Sequence, residues 1–345
     1  MDRTQQPMIR LDGVTKRYGD GTVAVDELSL DVAQGHVVAL IGPSGCGKTT
    51  SMKMVNRLIE PTSGTITVDG TDVMRADVVE LRRRIGYVIQ NVGLFPHQDV
   101  RTNVATVPRL LGWDRDRVSA RVDELLDLVG LDKARYGDRY PAQLSGGQRQ
   151  RVGVARALAA DPPVLLMDEP FAAVDPIVRV RLQDEFLRLQ RAVRKTVLFV
   201  THDLDEAVKL ADRIVVLSEG AKLEQYDTPA EVLGAPATPF VRDFVGEDRG
   251  LKRLAVTPVT QDNLSPLPEQ DIEGAPTVEL GSPLRDALAL LLQHDRGWVV
   301  VTDGSERVGV LTPDAVHAAL RRSVDEAEAA ASPEPTHLGG PAPTS

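Results

Sequence analysis

The amino-acid sequence predicts an α/β domain with buried parallel strands, followed by a small α+β unit towards the C-terminal end. The runs at Val37–Ile41 and 164–167 are apolar throughout, and the run at Thr196–Val200 is apolar after its first residue, as expected of strands buried on both faces of a sheet. A glycine-rich loop leads from the first of these strands into a helix predicted over residues 48–59. Much later, after a proline-rich stretch, a helix–strand–strand–helix pattern begins.

The composition is that of a folded chain, since 42% of the 345 residues are hydrophobic and 26% are charged. The formal net charge of −10 argues against nucleic acid as a partner, because phosphate binding relies on clustered Lys and Arg. No apolar stretch approaches the roughly 20 residues that cross a bilayer, and residues 1–7 lack the apolar core of a secretion signal. Cys46 is the single cysteine, which excludes an internal disulfide and indicates a reducing cytoplasm.

The remaining elements of the first domain follow in order. Residues 9–11 and Val23–Val32 are rich in β-formers. Residues from about 91 to 161 are predicted to be mainly helical. A helix beginning near Asp205 and a strand at 213–217 complete the alternation of strands and helices.

The C-terminal part divides by composition into three segments. Prolines punctuate a polar linker at 256–275, and a compact α+β unit follows at 276–323. Residues 325–345 are rich in Ala, Glu and Pro, which is typical of a disordered tail. The elements predicted within the compact unit are helix Leu284–Gln293, strands 298–302 and 308–311, and helix 314–322.

Residues 42–49 match the phosphate-binding pattern GxxxxGK[ST] in full. Glycines allow several backbone N–H groups to converge on a β-phosphate, and the following helix adds the positive end of its dipole. The alternative, a chance glycine turn, does not account for the strand before and the helix after the loop. Lys48 is predicted to contact the β- and γ-phosphates and Thr49 to ligate Mg²⁺, whereas Cys46 is interpreted as a spacer. The predicted nucleotide-binding residues are Gly42, Pro43, Ser44, Gly45, Cys46, Gly47, Lys48 and Thr49.

Two carboxylate residues, Asp168 and Glu169, directly follow the buried strand predicted at 164–167. We predict that Asp168 holds the Mg²⁺ and that Glu169 acts as the general base towards the attacking water. The alternative is an exposed acidic strand end, which is common for isolated Asp-Glu pairs. The phosphate-binding loop favours the catalytic interpretation, and the Asn-Lys-x-Asp motif of GTPases is absent from the sequence.

The segment LSGGQ lies just upstream of this strand and resembles the hallmark of ABC ATPases. The resemblance covers about residues 9–246 and implies the P-loop NTPase fold of an ABC cassette at 7–246, a RecA-like core with a helical subdomain at about 91–161. Amides at a helix N-terminus suit the binding of a γ-phosphate. The residues of this segment that the resemblance assigns to nucleotide binding are Ser145, Gly146, Gly147 and Gln148.

The same resemblance implies roles for four further residues. Gln90 is expected to reach the Mg²⁺ and the attacking water, and His202 to contact the γ-phosphate. Tyr18 is expected to stack on adenine, the alternative being an ordinary surface tyrosine. For His202 the alternative is a structural histidine at the end of a strand. Asp175 corresponds to the D-loop aspartate at the dimer interface.

The family also implies partners. Two copies of the chain are expected to form a head-to-tail dimer that encloses two ATP molecules, with the LSGGQ segment of one copy over the phosphate-binding loop of the other. Integral membrane permease subunits are the further expected partners, and a solute-binding protein acts indirectly. The chain is accordingly expected at the cytoplasmic face of the plasma membrane, as a peripheral protein.

Several phrases resemble those of the ATPases that serve glycine betaine, carnitine and choline importers. These phrases lie at 91–97, 103–113, 225–229 and 244–254. An importer for another small solute, such as a polyamine or an amino acid, is the first alternative. A soluble ABC ATPase acting on ribosomes or DNA would be expected to duplicate the cassette or insert coiled coils, which this chain does not. A nucleotide sensor that binds ATP without turnover is disfavoured by the presence of Glu169 and His202.

The phrase at 309–314 resembles the end of a CBS domain, a module that senses adenosine ligands or ionic strength. One copy is recognisable, at about 276–323, whereas importers of this type commonly carry two. Regulation is then either lost or produced by pairing modules across the dimer. Thr312 and Asp314 either bind a nucleotide or form a structural strand-to-helix turn.

Overall fold

The structure of the protein, a computed structural model, describes residues 7–89, 93–172, 175–268, 274–294 and 296–331. Its contacts divide the chain into two compact units, Met1–Tyr226 and Asp227–Ser345. This division falls about twenty residues before the end predicted for the first domain, and the boundary at 246 stays a prediction. In the part of the chain that is described, no helix is both long and apolar enough to span a membrane.

The first unit contains two sheets and eight helices among its described residues. The elements in chain order are β1 (Ile9–Arg17), β2 (Val23–Val32), β3 (Val37–Ile41), α1 (Lys48–Val55), β4 (Ser63–Val68), β5 (Thr71–Asp72), α2 (Val78–Arg83), β6 (Ile85–Val88), α3 (Val100–Leu110), α4 (Arg115–Leu128), α5 (Lys133–Tyr136), α6 (Gly146–Leu158), β7 (Val164–Asp168), α7 (Pro176–Val193), β8 (Thr196–Val200), α8 (Leu204–Leu210), β9 (Arg213–Ser218) and β10 (Lys222–Asp227).

A six-stranded sheet forms the centre of this unit, with strand order β10-β9-β3-β8-β7-β6. The pairs from β9 to β6 are parallel, and the five residues of β3, β7 and β8 are all buried. Burial on both faces explains why these strands are apolar except for Asp168 at the end of β7 and Thr196 at the start of β8. Because Leu40 and Asp168 both pair with Val200, the carboxyl ends of β3, β7 and β8 meet at one edge of the sheet.

The second sheet of the unit is antiparallel, in the order β2-β1-β4-β5. It shares one hydrophobic core with the central sheet, to which Ile9, Leu28 and Ile66 contribute fully buried side chains. In an antiparallel sheet of this kind, every second residue of a strand packs into the core and the residues between them are exposed.

Aspartates begin six of the helices. In each case the carboxylate accepts hydrogen bonds from one or two N–H groups of the first turn, which otherwise lack partners. Asp175, for example, accepts from Ile177 and Val178, and Pro176 occupies the first helical position of α7. The six capping residues are Asp77, Asp99, Asp114, Asp132, Asp175 and Asp203.

Some elements differ from those predicted. β1 continues to Arg17 instead of ending at residue 11, because its polar residues alternate with buried ones on the antiparallel sheet. α1 ends at Val55 instead of residue 59, and Arg57 adopts a left-handed conformation with φ 48° soon after that end. α7 was not predicted at all.

The second unit packs a three-stranded sheet against helices. The elements in chain order are α9 (Pro229–Gly234), α10 (Pro239–Val245), α11 (Arg249–Arg253), β11 (Thr277–Glu279), α12 (Leu284–Gln293), β12 (Val299–Asp303), β13 (Glu306–Leu311) and α13 (Pro313–Ala331). β12 lies in the middle, parallel to β11 and antiparallel to β13.

Two stretches of this unit differ from the composition-based expectation. Within the predicted linker, Val259 is buried in the core of the unit, and the Ser265 N–H donates to the Val310 carbonyl at 2.9 Å. α13 continues to Ala331, so the first residues of the predicted disordered tail are helical. Residues 332–345 lie outside the described residues.

Candidate functional site

The loop between β3 and α1 is packed so tightly that two positions admit only glycine. Gly42 and Gly47 have φ of 148° and 109°, a region that L side chains rarely adopt. A Cβ atom on Gly42 would lie 2.1 Å from the Leu217 carbonyl oxygen, and one on Gly47 would lie 2.3 Å from the Ala24 carbonyl oxygen. The Ala221 N–H, in the turn between β9 and β10, also donates to the Cys46 carbonyl at 2.6 Å and helps to fix the course of the loop.

The ammonium of Lys48 lies inside this loop. The residue is 7% exposed, and its Nζ donates to the carbonyl oxygens of Gly42 and Pro43, each at 2.8 Å. Cys46 is buried with its Sγ 3.7 Å from the same Nζ. A buried cation within a glycine loop at a helix N-terminus suits a polyphosphate, so the residues present fit ATP.

Thr49 and Asp168 meet at the edge of the sheet. The Thr49 hydroxyl donates to Asp168 Oδ1 at 3.0 Å, and Asp168 is buried at the end of β7. Burial raises the pKa of Asp168, and the Thr49 hydrogen bond opposes this shift. No cluster of three or more potential side-chain metal ligands occurs among the described residues. The two oxygens nevertheless fit Mg²⁺, which is usually held by one or two carboxylates together with phosphate oxygens and water.

Glu169 and His202 lie side by side at the ends of β7 and β8. His202 Nδ1 is 3.3 Å from Glu169 Oε1, and the Glu169 N–H donates to the Val200 carbonyl at 2.9 Å. Glu169 has φ 45°, an uncommon conformation for a residue other than glycine. The hydrogen bond to Val200 holds this uncommon backbone conformation in place.

The LSGGQ segment begins α6 with a reciprocal capping box. Ser145 Oγ accepts from the Gln148 N–H at 3.2 Å, and Gln148 Oε1 accepts from the Ser145 N–H at 2.9 Å. Gly147 is buried, and a Cβ there would lie 2.8 Å from a Val178 methyl group of α7. Gln148 Nε2 also donates to the Tyr136 hydroxyl at 3.2 Å, and Arg149 Nη1 donates to the Leu144 carbonyl at 2.6 Å.

The other predicted residues lie in separate parts of the unit. Tyr18, in the turn after β1, is 40% exposed, and the Lys16 ammonium is 5.3 Å from the centre of its ring. Asp175 is exposed at the start of α7. Gln90 lies outside the described residues, as do the D-loop residues 173–174.

Two residues near the carboxylates were not predicted. Burial, with a contribution from the Asp168 charge, raises the pKa of Tyr87 on β6 to about 12. Glu206 on α8 is 4% exposed. Burial, followed by the Asp203 charge, raises the pKa of Glu206 to about 8. Sequence alone offers only a weak signal for Glu206, an acidic residue three positions after a capping aspartate.

A cleft of about 360 Å³ lies beside Tyr87. Gly93, Phe95 and Arg156 are among the residues that line it. Arg156 belongs to α6 and donates to the Gly93 carbonyl at 2.7 Å, and its guanidinium lies 5.9 Å from the Phe95 ring centre. The helix that begins with LSGGQ therefore also contacts the segment that follows Gln90.

Comparisons with known proteins identify the family of this chain. The family model described as ABC transporter matches residues 25–172. The osmoprotectant import ATP-binding protein OsmV of Salmonella typhimurium is 48% identical over 300 residues, which are 86% of this chain and 76% of OsmV. The glycine betaine/carnitine/choline transport ATP-binding protein OpuCA of Bacillus subtilis is 56% identical over 242 residues. That match spans 70% of this chain and 63%, slightly less than two thirds, of OpuCA.

A solved structure also matches, the dimeric post-hydrolysis state of the ATP-binding cassette MJ0796 bound to ADP and Pi. It is 33% identical with a TM-score of 0.58, and the match covers 64% of this chain and 99% of that one. The α/β cassette fold predicted from the sequence is thereby confirmed. The chain belongs to the ABC transporter family, among its ATP-binding proteins.

Proposed function

We propose that this chain binds and hydrolyses ATP to power an importer of osmoprotectants such as glycine betaine, choline and carnitine. The observation that carries the proposal is the meeting of Thr49 with Asp168 and of Glu169 with His202 at one sheet edge. These pairs combine the groups required for phosphoryl transfer to water with the buried Lys48 ammonium.

The chain's own residues divide the work. Lys48 neutralises charge on the β- and γ-phosphates, while Thr49 and Asp168 hold Mg²⁺. When bound, Mg²⁺ supplies positive charge to the phosphate oxygens. Glu169 accepts the proton of the attacking water, and His202, within 3.3 Å of that carboxylate, orients it and contacts the γ-phosphate. Gln90 is assigned to the metal and the water.

A second copy of the chain completes each ATP site in this proposal. Ser145, Gly146 and Gly147 offer hydroxyl and amide groups at the N-terminus of a 13-residue helix, which attracts anions. The proposal has Tyr18 stacking on adenine and Asp175 lying at the contact between copies. The dimeric state of the MJ0796 cassette, bound to ADP and Pi, supports this arrangement.

The importer assignment rests on relatives. OsmV is named for osmoprotectant import and OpuCA for glycine betaine, carnitine and choline transport. By analogy we assign this chain to permease subunits at the cytoplasmic face of the plasma membrane, supplied by a solute-binding protein.

We assign residues 276–323 of the second unit to regulation, as a single CBS-like module. The order β11-α12-β12-β13-α13, with one parallel and one antiparallel strand pair, supports this assignment. The Thr312 hydroxyl accepts from the Ala315 N–H at 3.2 Å and caps α13, which favours the structural role for Thr312.

Replacing Glu169 by Gln tests the catalytic assignment. E169Q keeps the shape of the side chain but cannot accept a proton, so we expect ATP binding to persist and turnover to fall by about 10²-fold or more. ATP with Mg²⁺ should then accumulate the dimer, measured by size-exclusion chromatography with light scattering.

Glu185→Gln provides the matched control, since Glu185 lies on α7 and pairs with Arg151 at 3.4 Å, away from the carboxylate edge. This variant should hydrolyse ATP at the wild-type rate and stay monomeric whenever the wild type does. An unchanged hydrolysis rate in E169Q would show that Glu169 is not the base.

Uptake of labelled glycine betaine, choline and carnitine in a strain lacking this chain tests the cargo. We expect uptake to be lost in that strain and restored by the wild type but not by E169Q. A polyamine or an amino acid as the only solute affected would exclude the osmoprotectant assignment while leaving the ATPase assignment intact.

A further inference from the structure

A cluster of polar and charged residues lies near Glu169, formed by Arg179, Thr201, Asp203 and Glu206, of which Thr201 and Glu206 are buried. Arg179 Nη1 is 3.5 Å from Asp203 Oδ2, which joins α7 to the start of α8. Asp203 Oδ1 also accepts from the Glu206 N–H at 3.2 Å, and the Asp203 N–H donates to Thr201 Oγ1 at 3.1 Å. Because Asp203 directly follows His202, the cluster holds the peptide that carries His202.

Glu206 is the member of the cluster that burial isolates from water. It is 4% exposed, and its Oε1 is buried with no hydrogen-bond partner among the described residues. The groups that act on its charge are the Asp203 and Glu169 carboxylates, the Arg179 guanidinium and the Thr201 hydroxyl. The Arg179 guanidinium already pairs with the Asp203 carboxylate, so a negative charge on buried Glu206 would be poorly compensated.

We propose that Glu206 is a positioning residue that acts as a neutral carboxylic acid, supporting the His202–Glu169 pair while it remains protonated. Ionisation would add a negative charge beside Asp203 and towards Glu169. Repulsion would then displace Asp203 and with it His202, whose Nδ1 lies 3.3 Å from Glu169. The cluster thus makes hydrolysis sensitive to alkaline pH, a property that goes beyond the proposed function but depends on it.

The pH dependence follows from the direction of the shift. Burial and the neighbouring carboxylates raise the pKa of Glu206 from 4.5 to about 8. A group with a pKa near 8 loses about nine tenths of its protonated form between pH 7 and pH 9, so we expect wild-type hydrolysis to fall about tenfold over this interval. Glu206→Gln cannot ionise, and its rate at pH 9 should stay within about twofold of its own rate at pH 7.

Asp205→Asn is the matched control, since Asp205 is the exposed neighbour of Glu206 in the same helical turn. The full chain of each variant would be assayed for ATP hydrolysis with Mg²⁺ from pH 6.5 to 9.5. D205N should follow the wild-type profile. Superimposable profiles for E206Q and the wild type would overturn the proposal.

Thermal denaturation provides a readout that does not require hydrolysis. Between pH 4.5 and 8 folded wild type binds a proton at Glu206 that the unfolded chain has released, so its stability falls as pH rises through this window. E206Q lacks this dependence, and its Tm relative to wild type should increase from pH 5 to pH 8. A constant Tm difference would mean that Glu206 is already ionised and would overturn the proposal.

The two readouts separate this inference from the proposed function. Absence of hydrolysis in the wild type at every pH would refute the ATPase assignment, whereas the Tm comparison would still test the protonation of Glu206. A pH-dependent Tm difference combined with superimposable activity profiles would leave a protonated Glu206 without a positioning role, which also overturns the proposal.

Discussion

At the scale of single residues, the phosphate-binding loop depends on backbone space more than on side chains. A Cβ atom on Gly47 would clash with the Ala24 carbonyl oxygen at 2.3 Å and with the Ala221 Cβ at 2.9 Å. Both neighbours are backbone or short side chains, so neither can rotate away. The loop has to move if this glycine is replaced.

Replacing Gly47 by Ala should therefore displace the loop. We expect G47A to lower ATP affinity at least tenfold and to reduce the free energy of unfolding by more than about 1 kcal/mol, because the residue has φ 109°. Titration with a fluorescent ATP analogue and urea denaturation would measure the two effects. Gly250→Ala is the control, since nothing lies within 4 Å of its added Cβ; equal losses in both variants would contradict the steric explanation.

The site residues that could be predicted from the sequence are those that belong to a local pattern, such as a motif at the end of a strand. Asp168 ends a buried strand, and Lys48 and His202 follow two others; parallel pairing brings these strand ends together. Their neighbourhood was therefore predictable, whereas their roles stay predictions. Tyr87 and Glu206 were missed because their altered pKa values arise from burial among elements distant in sequence.

At the scale of elements, one asparagine organises the segment that follows Gln90. Asn103 on α3 is completely buried, and its Oδ1 accepts from the Phe95 N–H at 2.8 Å. Its Nδ2 donates to the carbonyl oxygens of Phe95, Gln98 and Asp99 at 3.0 to 3.1 Å. A single side chain thus satisfies the backbone of a loop that forms no regular structure.

Replacing Asn103 by Ala should leave these backbone groups without their partner. We expect N103A to reduce the free energy of unfolding by about 1–3 kcal/mol, as measured by urea denaturation. Thr106→Ala is the control on the same helix, because the Thr106 hydroxyl donates only to carbonyls of its own helix; it should cost less than about 0.5 kcal/mol. A smaller loss in N103A than in T106A would show that the loop does not depend on Asn103.

Helix α7 was not predicted, although its sequence contains the local signals of a helix. Its start is encoded by Asp175 and Pro176, and its buried side chains Leu182, Phe186 and Leu189 follow helical spacing. The information for this helix was present locally. The end of β1 was harder to predict, because register shifts at Val14 and Lys16 interrupt its pairing with β2.

At the scale of the whole chain, each of the two units has a hydrophobic core of its own. Leu311 is fully buried in the core of the second unit, together with Val299 and Leu284. We expect Leu311→Ala to destabilise this unit by about 2–5 kcal/mol through lost burial and a residual cavity. Hydrogen exchange of peptides from β12 and β13 at increasing urea would measure the change.

Leu292→Ala is the matched control for this substitution. Leu292 is 80% exposed on α12, so its truncation should change the stability of the unit by less than about 0.5 kcal/mol. Faster exchange in L292A than in L311A would contradict the assigned core. The division of the chain was only partly predictable, because composition marks the prolines after residue 256 but not the contacts of Val259 and Ser265.

The contact between Arg156 and Gly93 has a mechanical consequence. Ser145 and Arg156 lie eleven residues apart on one continuous helix, a span of about 16 Å. A helix of this length behaves as a stiff rod, because bending it strains its internal hydrogen bonds. A displacement of the loop at Gly93 therefore moves Ser145 as well, because the helix between them bends little.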